Sequence, residues 1–380
     1  MQIFCFVNDA RFFKIQFEQW AVAFQKAGWP VTVFSPKETV LDREIITLEA
    51  GNIVHQLPFQ RKKITVYMAL LTVIFTLQKA RQSPHGTIFH LITILPILLC
   101  GLPLRILNRP CVYTITGMGT IFSSHELRHR VMRIGVAIVY RFLFNHPKAK
   151  VCLCNHDDFF YFKNTLKIFP SRMELVPGSG ASQKKFPFSQ YKPKNSNPII
   201  LIPARLIEDK GIFEAIEASK ILMKNGIAHT MKFLGDIDPG NPTSLTKIQV
   251  EKLALENPQV TFLGFQSDVP EFLASADIVC LPSYREGLPT ALVEAMAVGR
   301  AIVGFDSIGI RDIIQHERTG LLAIRKSSED LAKQLTRLIE NPELRLELSK
   351  NAHSYFKENL EIERIIDQMK KIYLETSAIE

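Results

Sequence analysis

Short apolar runs alternate along this chain with longer runs of helical periodicity, and this alternation constrains the fold more than any other feature. In the first half, strands are predicted at 2–7, 31–35, 87–91, 111–115 and 150–154, with helices at 13–27, 64–78, 96–107 and 128–144. In the second half, strands are predicted at 199–203, 231–234, 260–262, 278–281 and 301–304, with helices at 211–224, 245–257, 269–274 and 289–298. Such an alternation predicts α/β domains with parallel sheets that are covered by helices on both faces.

A change of composition separates the two alternations. Residues 183–198 are rich in Pro, Lys, Ser and Asn, which is typical of a linker. We therefore predict a Rossmann-like, doubly wound domain over 1–185, a linker over 186–197 and a second such domain over 198–355. A C-terminal helix over 356–380 is expected to return toward the first domain. Two domains of this kind would form a cleft between the carboxyl ends of their strands, where ligands bind in this architecture.

The charge of the chain is distributed unevenly. The 380 residues include 46 Lys and Arg against 37 Asp and Glu, a net charge of +9. Residues 1–190 carry 23 basic and 10 acidic side chains, or +13, whereas residues 191–380 carry 23 and 27, or −4. Glu126 is the only acid within 51–150. This asymmetry predicts that an anionic surface or ligand faces the first half, with a solvated basic face as the alternative.

The sequence predicts neither a secreted nor a transmembrane protein. Residues 1–7 read as a buried strand, because no basic residues precede the apolar run as they would in a signal peptide. The most apolar stretch, 64–78, is shorter than the ~20 residues that a spanning helix needs. The six cysteines are scattered and sit mostly in apolar runs, so we expect buried thiols of a reduced compartment and no disulfide framework.

Several common catalytic motifs are absent or out of context. Residues 125–129 match the H-E-x-x-H zinc motif, but neighbouring arginines would repel a dication and no acid follows before Asp157 to complete the site. No glycine-rich dinucleotide fingerprint or phosphate loop occurs, which disfavours hydride transfer and nucleoside-triphosphate hydrolysis. The nearest match to a magnesium-binding acid pair is Asp236 and Asp238.

Two cations follow the first strand of the second half. Arg205 comes just after the strand predicted at 199–203, and Lys210 precedes a helix that opens at Gly211. A cation at the end of a strand, a second cation before a helix and a glycine that permits close backbone approach form a cradle for a diphosphate. An ordinary turn with solvated charges is the alternative interpretation.

Two carboxylates follow the buried strand predicted at 278–281. Glu286 lies in a loop beside Gly287, and Pro289 suits the first turn of the next helix, on which Glu294 lies. The spacing places one carboxylate over the helix N-terminus and the other a turn further along. Such a pair can bind two sets of hydroxyls on one extended ligand. The alternative is that Glu294 caps or pairs on a helix surface.

The run from 283 to 297 resembles the E-x7-E element of family 4 retaining glycosyltransferases, which have the two-domain GT-B fold. The resemblance spans nearly the whole chain. It implies that Arg205 and Lys210 bind the donor diphosphate, that Glu286 lies near the transferred sugar and that Glu294 holds the ribose hydroxyls. Residues 262–264 match the loop that contacts the nucleotide base. The implied donor site comprises Arg205, Lys210, Leu263, Gly264, Glu286, Gly287, Leu288, Pro289, Thr290 and Glu294, with Arg205, Lys210 and Glu286 as the catalytic residues.

The first half is similar, more narrowly, to bacterial surface-polysaccharide transferases that act on undecaprenyl-diphosphate-linked sugars at the inner leaflet. Segments 113–119, 155–158 and 177–180 carry this similarity. It implies an acceptor side that includes Asn8, Asp9, Thr116, Gly117 and Asn155. Many members of the family have a Gly-rich pair after the first strand, where this chain has Asn8 and Asp9.

The resemblance implies a retaining, metal-independent transfer of a hexose or N-acetylhexosamine from a UDP-sugar to a polyprenyl-diphosphate-linked saccharide, in O-antigen or capsule biosynthesis. No cofactor and no nucleic acid partner are expected. The basic first half is expected to hold the chain on the inner face of the anionic cytoplasmic membrane, with helices 64–78 and 128–144 at the interface. The alternatives are a UDP-sugar 2-epimerase of the same fold, and a non-catalytic protein that binds membranes or polysaccharides.

Overall fold

The chain divides by its internal contacts into two units, each built around one parallel sheet. The first unit comprises Met1–Ser179 and Ile365–Glu380, and the second comprises Gly180–Arg364. A computed structural model describes residues 1–36, 54–59, 64–118, 122, 127–190 and 197–378. The predicted class, two doubly wound α/β domains, is confirmed.

Seven strands form the sheet of the first unit. Strands β1 to β7 are Ile3–Phe6, Val31–Pro36, His55–Leu57, Ile88–Ile92, Cys111–Ile115, Ala149–Leu153 and Met173–Leu175, and helices α1 to α5 are Ala10–Lys26, Val66–Gln82, Ile94–Ile106, Leu127–Phe144 and His156–Asn164. The strand order is β3-β2-β1-β4-β5-β6-β7, and all neighbours are parallel. The order reverses between β1 and β4, which is the signature of a doubly wound sheet.

The first helix shows why the chain folds locally as it does. The carboxylate of Asp9 accepts hydrogen bonds from the backbone N–H groups of Arg11 (2.9 Å) and Phe12 (3.2 Å), and so caps the start of α1. Helical spacing then places large apolar side chains on one buried face: Phe13, Phe17, Trp20, Ala21 and Phe24. Strand β1, against which this layer packs, is buried along its whole length.

Six strands form the sheet of the second unit. Strands β8 to β13 are Ile199–Pro203, Thr230–Leu234, Val260–Phe262, Ile278–Leu281, Ala301–Phe305 and Leu321–Ala323. Helices α6 to α11 are Ile212–Lys224, Lys247–Glu256, Val269–Ser275, Thr290–Val298, Ser328–Glu340 and Pro342–Asn359, and α12 is Ile362–Ser377. The order is β10-β9-β8-β11-β12-β13, again with parallel neighbours throughout. Here the order reverses between β8 and β11.

The last helix, α12, packs mainly with the first unit. The hydroxyl of Tyr373 shares a hydrogen bond with Nδ1 of the buried His90 (2.7 Å), whose Nε2 shares one with the hydroxyl of Thr114 (2.7 Å). Burial lowers the pKa of His90 to about 3, so the ring is neutral in this network. Near the end of the helix, Glu375 approaches the ammonium of Lys150 at 3.3 Å. Contacts with His90 on β4 and Lys150 on β6 thus fix α12 to the first sheet.

The unit boundaries differ from those that the sequence predicts. The first unit ends at Ser179 rather than 185, and only Ile365–Glu380 returns to it. The predicted linker over 186–197 begins inside the second unit, because Phe186 is buried in its core and the carbonyl of Ser189 accepts a hydrogen bond from the guanidinium of Arg300 (2.8 Å). The Pro and Lys residues there indicate an irregular segment, but the buried side chain of Phe186 attaches its start to the second unit. Residues 191–196 lie outside the described residues.

The six cysteines are buried free thiols, as predicted: Cys5, Cys100, Cys111, Cys152, Cys154 and Cys280. Among the described residues, no helix is long and apolar enough to cross a membrane.

Candidate active site

The predicted donor residues gather at one edge of the second sheet. Arg205 follows β8 and Glu286 follows β11, the two central strands between which the strand order reverses. In a parallel sheet all carboxyl ends lie at the same edge. The crevice at such a reversal point is where open α/β sheets bind their ligands. The topology therefore brings together residues that are about eighty positions apart in the sequence.

Lys210 and Glu286 form an ion pair. The ammonium nitrogen Nζ of Lys210 lies 2.5 Å from Oε1 of Glu286, and the two side chains are only 17% and 13% exposed. The loop that carries Glu286 is fixed through its backbone, since the N–H of Glu286 donates to the carbonyl oxygen of Ile308 at 2.9 Å. A cation and a carboxylate are thus held in contact in a sparsely solvated site, where electrostatic interactions are stronger than in water.

Arg205 is also paired, but in a more open position. Its Nη1 donates to Oδ2 of Asp238 at 2.5 Å, and the two side chains are 58% and 30% exposed. Asp238 follows β9, the strand next to β8, so this contact also lies at the carboxyl edge of the sheet. The sequence predicts the cation Arg205 but not its carboxylate partner.

Gly211 brings the start of α6 against the loop that carries Glu286. Its φ of +69° is in the left-handed region, and a Cβ atom there would lie 2.1 Å from the carbonyl oxygen of Pro282. Gly211 provides no side chain to cap α6. The N-terminus of this helix, with its free backbone donors and positive dipole end, is therefore available to an anion beside Lys210.

The loop after β8 is hydrogen-bonded along its length to the loop after β9. The N–H of Leu206 donates to the carbonyl of Asp236 and the N–H of Glu208 to that of Thr243, both at 2.9 Å. At Gly235, a Cβ atom would lie 2.1 Å from the carbonyl oxygen of Ala204, so only glycine permits this close approach. The two loops therefore form one fixed structure at the edge of the sheet.

Glu294 lies on α9 and is partly buried. Burial raises the pKa of its carboxyl to about 7, and the nearby Lys185 opposes this shift. The described residues show no hydrogen-bond partner for the Glu294 carboxylate. A carboxylate that is desolvated in this way is expected to bind hydroxyl donors of a ligand.

The remaining predicted donor residues form the surrounding loops. The N–H of Leu263 donates to the carbonyl of Phe233 (2.9 Å), and the carbonyl of Gly264 accepts from the N–H of Gly235 (3.0 Å). The α9 helix begins at Thr290 with Pro289 as its cap, one residue later than predicted. Gly287 and Leu288 connect Glu286 to this helix, and the carbonyl of Leu288 accepts from the N–H of Thr290 at 3.0 Å.

Tyr284 is a residue at this edge that the sequence analysis misses. Its hydroxyl donates to Oε1 of Glu214 on α6 at 2.6 Å, and the ammonium of Lys326 lies 4.3 Å from the centre of its ring. Tyr284 thus joins the Glu286 loop to α6 and to the loop after β13. Its position in the loop that follows the buried strand β11 was the available signal, because ligands bind at the carboxyl ends of such strands.

The predicted acceptor residues lie after strands of the first sheet. Asn8 and Asp9 follow β1, Thr116 and Gly117 follow β5, and Asn155 follows β6. Two of them have a structural role. Asp9 caps α1, and Asn155, which is fully buried, caps α5 by accepting from the N–H of Asp158 at 2.8 Å. The acceptor assignment of these residues stays a prediction.

Of the two possible metal motifs of the sequence, only the magnesium pair lies entirely within the described residues. His125 and Glu126 of the zinc-like motif lie outside the described residues. At the possible magnesium pair, Oδ1 of Asp236 accepts from the N–H of Ile237 (2.8 Å), and Asp238 pairs with Arg205. Within the described ranges, no group of three His, Cys, Asp or Glu residues could hold a metal ion.

The chain is similar to known proteins over both units. Over 252 residues it is 31% identical to the N,N'-diacetylbacillosaminyl-diphospho-undecaprenol alpha-1,3-N-acetylgalactosaminyltransferase of Campylobacter jejuni, a match that covers 63% of each protein. The chain thus spans about three fifths of the length of this relative. It is also 23% identical to the UDP-Gal:alpha-D-GlcNAc-diphosphoundecaprenol alpha-1,3-galactosyltransferase of Escherichia coli, covering 71% of the chain and 70% of that protein.

The fold is shared with a solved glycosyltransferase. The crystal structure of a glycosyltransferase from Rickettsia africae matches with a TM-score of 0.78 at 15% identity and covers 100% of this chain and 99% of that one. Residues 183–355, which carry every predicted donor residue, match the model of the glycosyl transferases group 1 family. Over this segment the chain therefore resembles the group 1 glycosyl transferases, in agreement with the resemblance seen in the sequence.

Proposed function

We propose that the chain is a retaining glycosyltransferase that moves a hexose or N-acetylhexosamine from a UDP-sugar to a polyprenyl-diphosphate-linked saccharide in bacterial surface-polysaccharide biosynthesis. The observation that carries this proposal is the contact between Lys210 and Glu286, at the point where the second sheet reverses its strand order, with Arg205 on the same segment between β8 and α6 as Lys210. Cations for a diphosphate and a carboxylate for a sugar are both present at that edge.

The chemistry of such a site follows from its charges. When the bond between the sugar and the diphosphate breaks, negative charge grows on the leaving phosphate. Arg205, Lys210 and the N-terminus of α6 would stabilise that charge. Glu286 would orient hydroxyls of the transferred sugar and Glu294 those of the ribose. Two cations and a helix N-terminus can together do what a divalent metal does in other transferases, which supports a metal-independent reaction.

The acceptor class is supported by the relatives. The names of both the Campylobacter and the Escherichia relative specify a saccharide linked through a diphosphate to undecaprenol, and the latter also specifies a UDP-linked donor. A lipid-linked acceptor of this kind is confined to a membrane surface. The chain would therefore work at the cytoplasmic face of the inner membrane, with its basic first half toward the anionic lipids.

The first unit presents a surface that fits this location. Exposed apolar side chains follow helical spacing on α2 and α4, and α3 packs against both of these helices. We call this surface the apolar face; it comprises Val66, Tyr67, Leu70, Ile74, Leu102, Ile106, Val131, Ile134, Ile138 and Phe142. Exposed arginines at 81, 130 and 141 lie on the same two helices, α2 and α4. Apolar side chains bordered by cations are typical of helices that bind the interface of anionic membranes.

A screen of sugar donors tests the proposed reaction. Purified protein is incubated with UDP- and GDP-sugars, with and without a lipid extract that contains diphosphate-linked saccharides, and release of UDP or GDP is measured with and without EDTA. We expect UDP release that requires the lipid extract and is insensitive to EDTA. Release without any acceptor would indicate hydrolysis or epimerisation instead. A Glu286→Gln variant, measured in parallel, identifies release that is due to a contaminant.

A further inference from the structure

Each of the two donor-site cations is already neutralised by a carboxylate. Lys210 contacts Glu286 and Arg205 contacts Asp238, both at 2.5 Å. The proposed function gives a role to Glu286, which would turn to the sugar when the diphosphate takes its place on Lys210. Asp238 has no role in that function, although its carboxylate binds the guanidinium group that would bind a phosphate.

The position of Asp238 is built into the fold. Its N–H donates to the hydroxyl of Ser244 at 2.8 Å, and its carbonyl accepts from the N–H of Asn241 at 2.8 Å. The hydrogen bonds between the loops after β8 and β9 then hold this turn beside Arg205, as described above. The backbone of Asp238 is therefore fixed beside Arg205, and this keeps the carboxylate within reach of the guanidinium group.

The exposure of this pair makes an exchange of partners feasible. Arg205 is 58% exposed and Asp238 is 30% exposed, so water screens their attraction and an anionic ligand has access to the guanidinium group. A diphosphate carries more charge than one carboxylate and can bind the planar guanidinium in a bidentate manner. It should therefore displace Asp238, but its net gain is reduced by the contact that is lost.

We propose that Asp238 competes with the diphosphate of the ligand for Arg205 and thereby sets the affinity of the site for nucleoside diphosphates. This inference rests on the proposed function, because it assigns Arg205 to the diphosphate. The competition weakens the binding of the donor and of the nucleoside diphosphate product alike. It therefore favours release of the product after transfer.

Binding of inorganic pyrophosphate and of UDP to the full chain, measured by isothermal titration calorimetry, tests the inference. We expect Asp238→Asn to bind both ligands about two- to fivefold more tightly than the unsubstituted chain, as the strength of an exposed ion pair predicts. Removal of any acid near the site would also reduce the long-range electrostatic repulsion of an anionic ligand and so raise its affinity. Asp306→Asn is the matched control, because Asp306 follows β12 at the same sheet edge and pairs with Arg311 at 2.8 Å.

A double-mutant cycle separates competition for Arg205 from a field effect. In an Arg205→Gln background, Asp238→Asn should bring no further gain in affinity. An equal gain in both backgrounds, an equal gain from Asp306→Asn, or no gain at all would overturn the inference. So would a failure of pyrophosphate to bind any variant.

The proposed function has a separate readout in sugar transfer. If Asp238→Asn binds pyrophosphate more tightly but no sugar is transferred from any donor, the inference stands and the proposed function fails. If sugar is transferred but the affinity for pyrophosphate and UDP does not change, the inference alone fails.

Discussion

Lys210 is the residue on which the proposed chemistry depends most. It is only 17% exposed, and its partner in the described part of the chain is the Glu286 carboxylate, which the donor would displace. A cation in such a position stabilises developing negative charge more strongly than a solvated one, because little water competes for it. Substitution at this position should therefore affect turnover far more than it affects folding.

We expect Lys210→Ala to lower kcat/KM for the UDP-sugar by about 100- to 1000-fold, which corresponds to ~3–4 kcal/mol of barrier. Lys220→Ala is the matched control, because Lys220 lies on α6 and pairs with Glu217 at 3.3 Å in an exposed position. Initial rates of UDP release with the lipid acceptor provide the measurement. If Lys210→Ala raises the activation barrier by less than about 0.5 kcal/mol, Lys210 has no part in the mechanism.

The raised pKa of Glu294 predicts a pH dependence of stability. Burial shifts this pKa from 4.5 in the unfolded chain to about 7 in the folded one. Between pH 4.5 and 7 the carboxyl is therefore protonated in the folded chain but ionised in the unfolded one. The free energy of unfolding should therefore fall as pH rises from about 4.5 to 7, by about 1–3 kcal/mol from this group, and stay level above. Glu294→Gln should remove that part of the slope.

Chemical denaturation of the Glu294→Gln variant and of the unsubstituted chain at pH 5, 6, 7 and 8 measures this effect. The two free energies of unfolding should be closest at pH 5, and the variant should become relatively more stable toward pH 8. Parallel curves across the whole range would show that Glu294 titrates at its ordinary pKa in the folded chain.

At the scale of elements, the turn into α6 positions Lys210. Gly211 and Gly226 stand at the two ends of this helix, with φ of +69° and +75°. A Cβ at Gly211 would meet the carbonyl oxygen of Pro282 at 2.1 Å, whereas a Cβ at Gly226 would meet nothing within 4 Å. The pair therefore separates backbone strain, which both positions share, from steric conflict, which only Gly211 has.

We expect Gly226→Ala to lower the free energy of unfolding by about 1–2 kcal/mol, because alanine is disfavoured at positive φ. Gly211→Ala should cost at least about 2 kcal/mol more and should also weaken pyrophosphate binding, because Lys210 shifts with the displaced turn. Thermal unfolding and calorimetry measure the two effects. Equal destabilisation by both substitutions would show that the turn relaxes away from Pro282.

The sequence predicts the elements that carry continuous apolar runs. The strands at Cys111–Ile115, Ile199–Pro203 and Ile278–Leu281 have the predicted bounds, because a strand in the interior of a covered parallel sheet leaves an unbroken apolar run. Three strands were missed. They are short and lie at the sheet edges, where fewer side chains are buried and the apolar run in the sequence is therefore weaker: His55–Leu57, Met173–Leu175 and Leu321–Ala323.

The C-terminal helices show a second limit of the sequence analysis. One helix was predicted over 356–380, whereas α11 ends at Asn359 and a separate helix, α12, begins at Ile362. At the candidate site, the residue types of Arg205, Lys210 and Glu286 indicate the chemistry that we propose for them. Their carboxylate partners depend instead on how the loops after β8, β9 and β11 are hydrogen-bonded together, which is a tertiary property that no local spacing encodes.

At the scale of the whole molecule, charge and exposed apolar area occur in the same half of the chain. The first 190 residues carry a net charge of +13, and the apolar face lies on helices of the first unit. Electrostatic attraction brings a protein to an anionic membrane over about a Debye length, and apolar contact then holds it there. The two contributions can be separated by salt and by substitution.

We expect the chain to bind vesicles of phosphatidylethanolamine and phosphatidylglycerol, and this binding should fall several-fold between 0.05 and 0.5 M salt in a sedimentation assay. Replacing Ile134 and Ile138 together with Ser should weaken binding by about tenfold or more without affecting folding, because both side chains are more than 60% exposed. The matched control replaces Ile248 and Leu255 of α7, which are exposed apolar residues of the second unit, and should leave binding unchanged. Binding that is insensitive to salt, or equally reduced by both pairs of substitutions, would mean that the apolar face is not the surface that contacts the membrane.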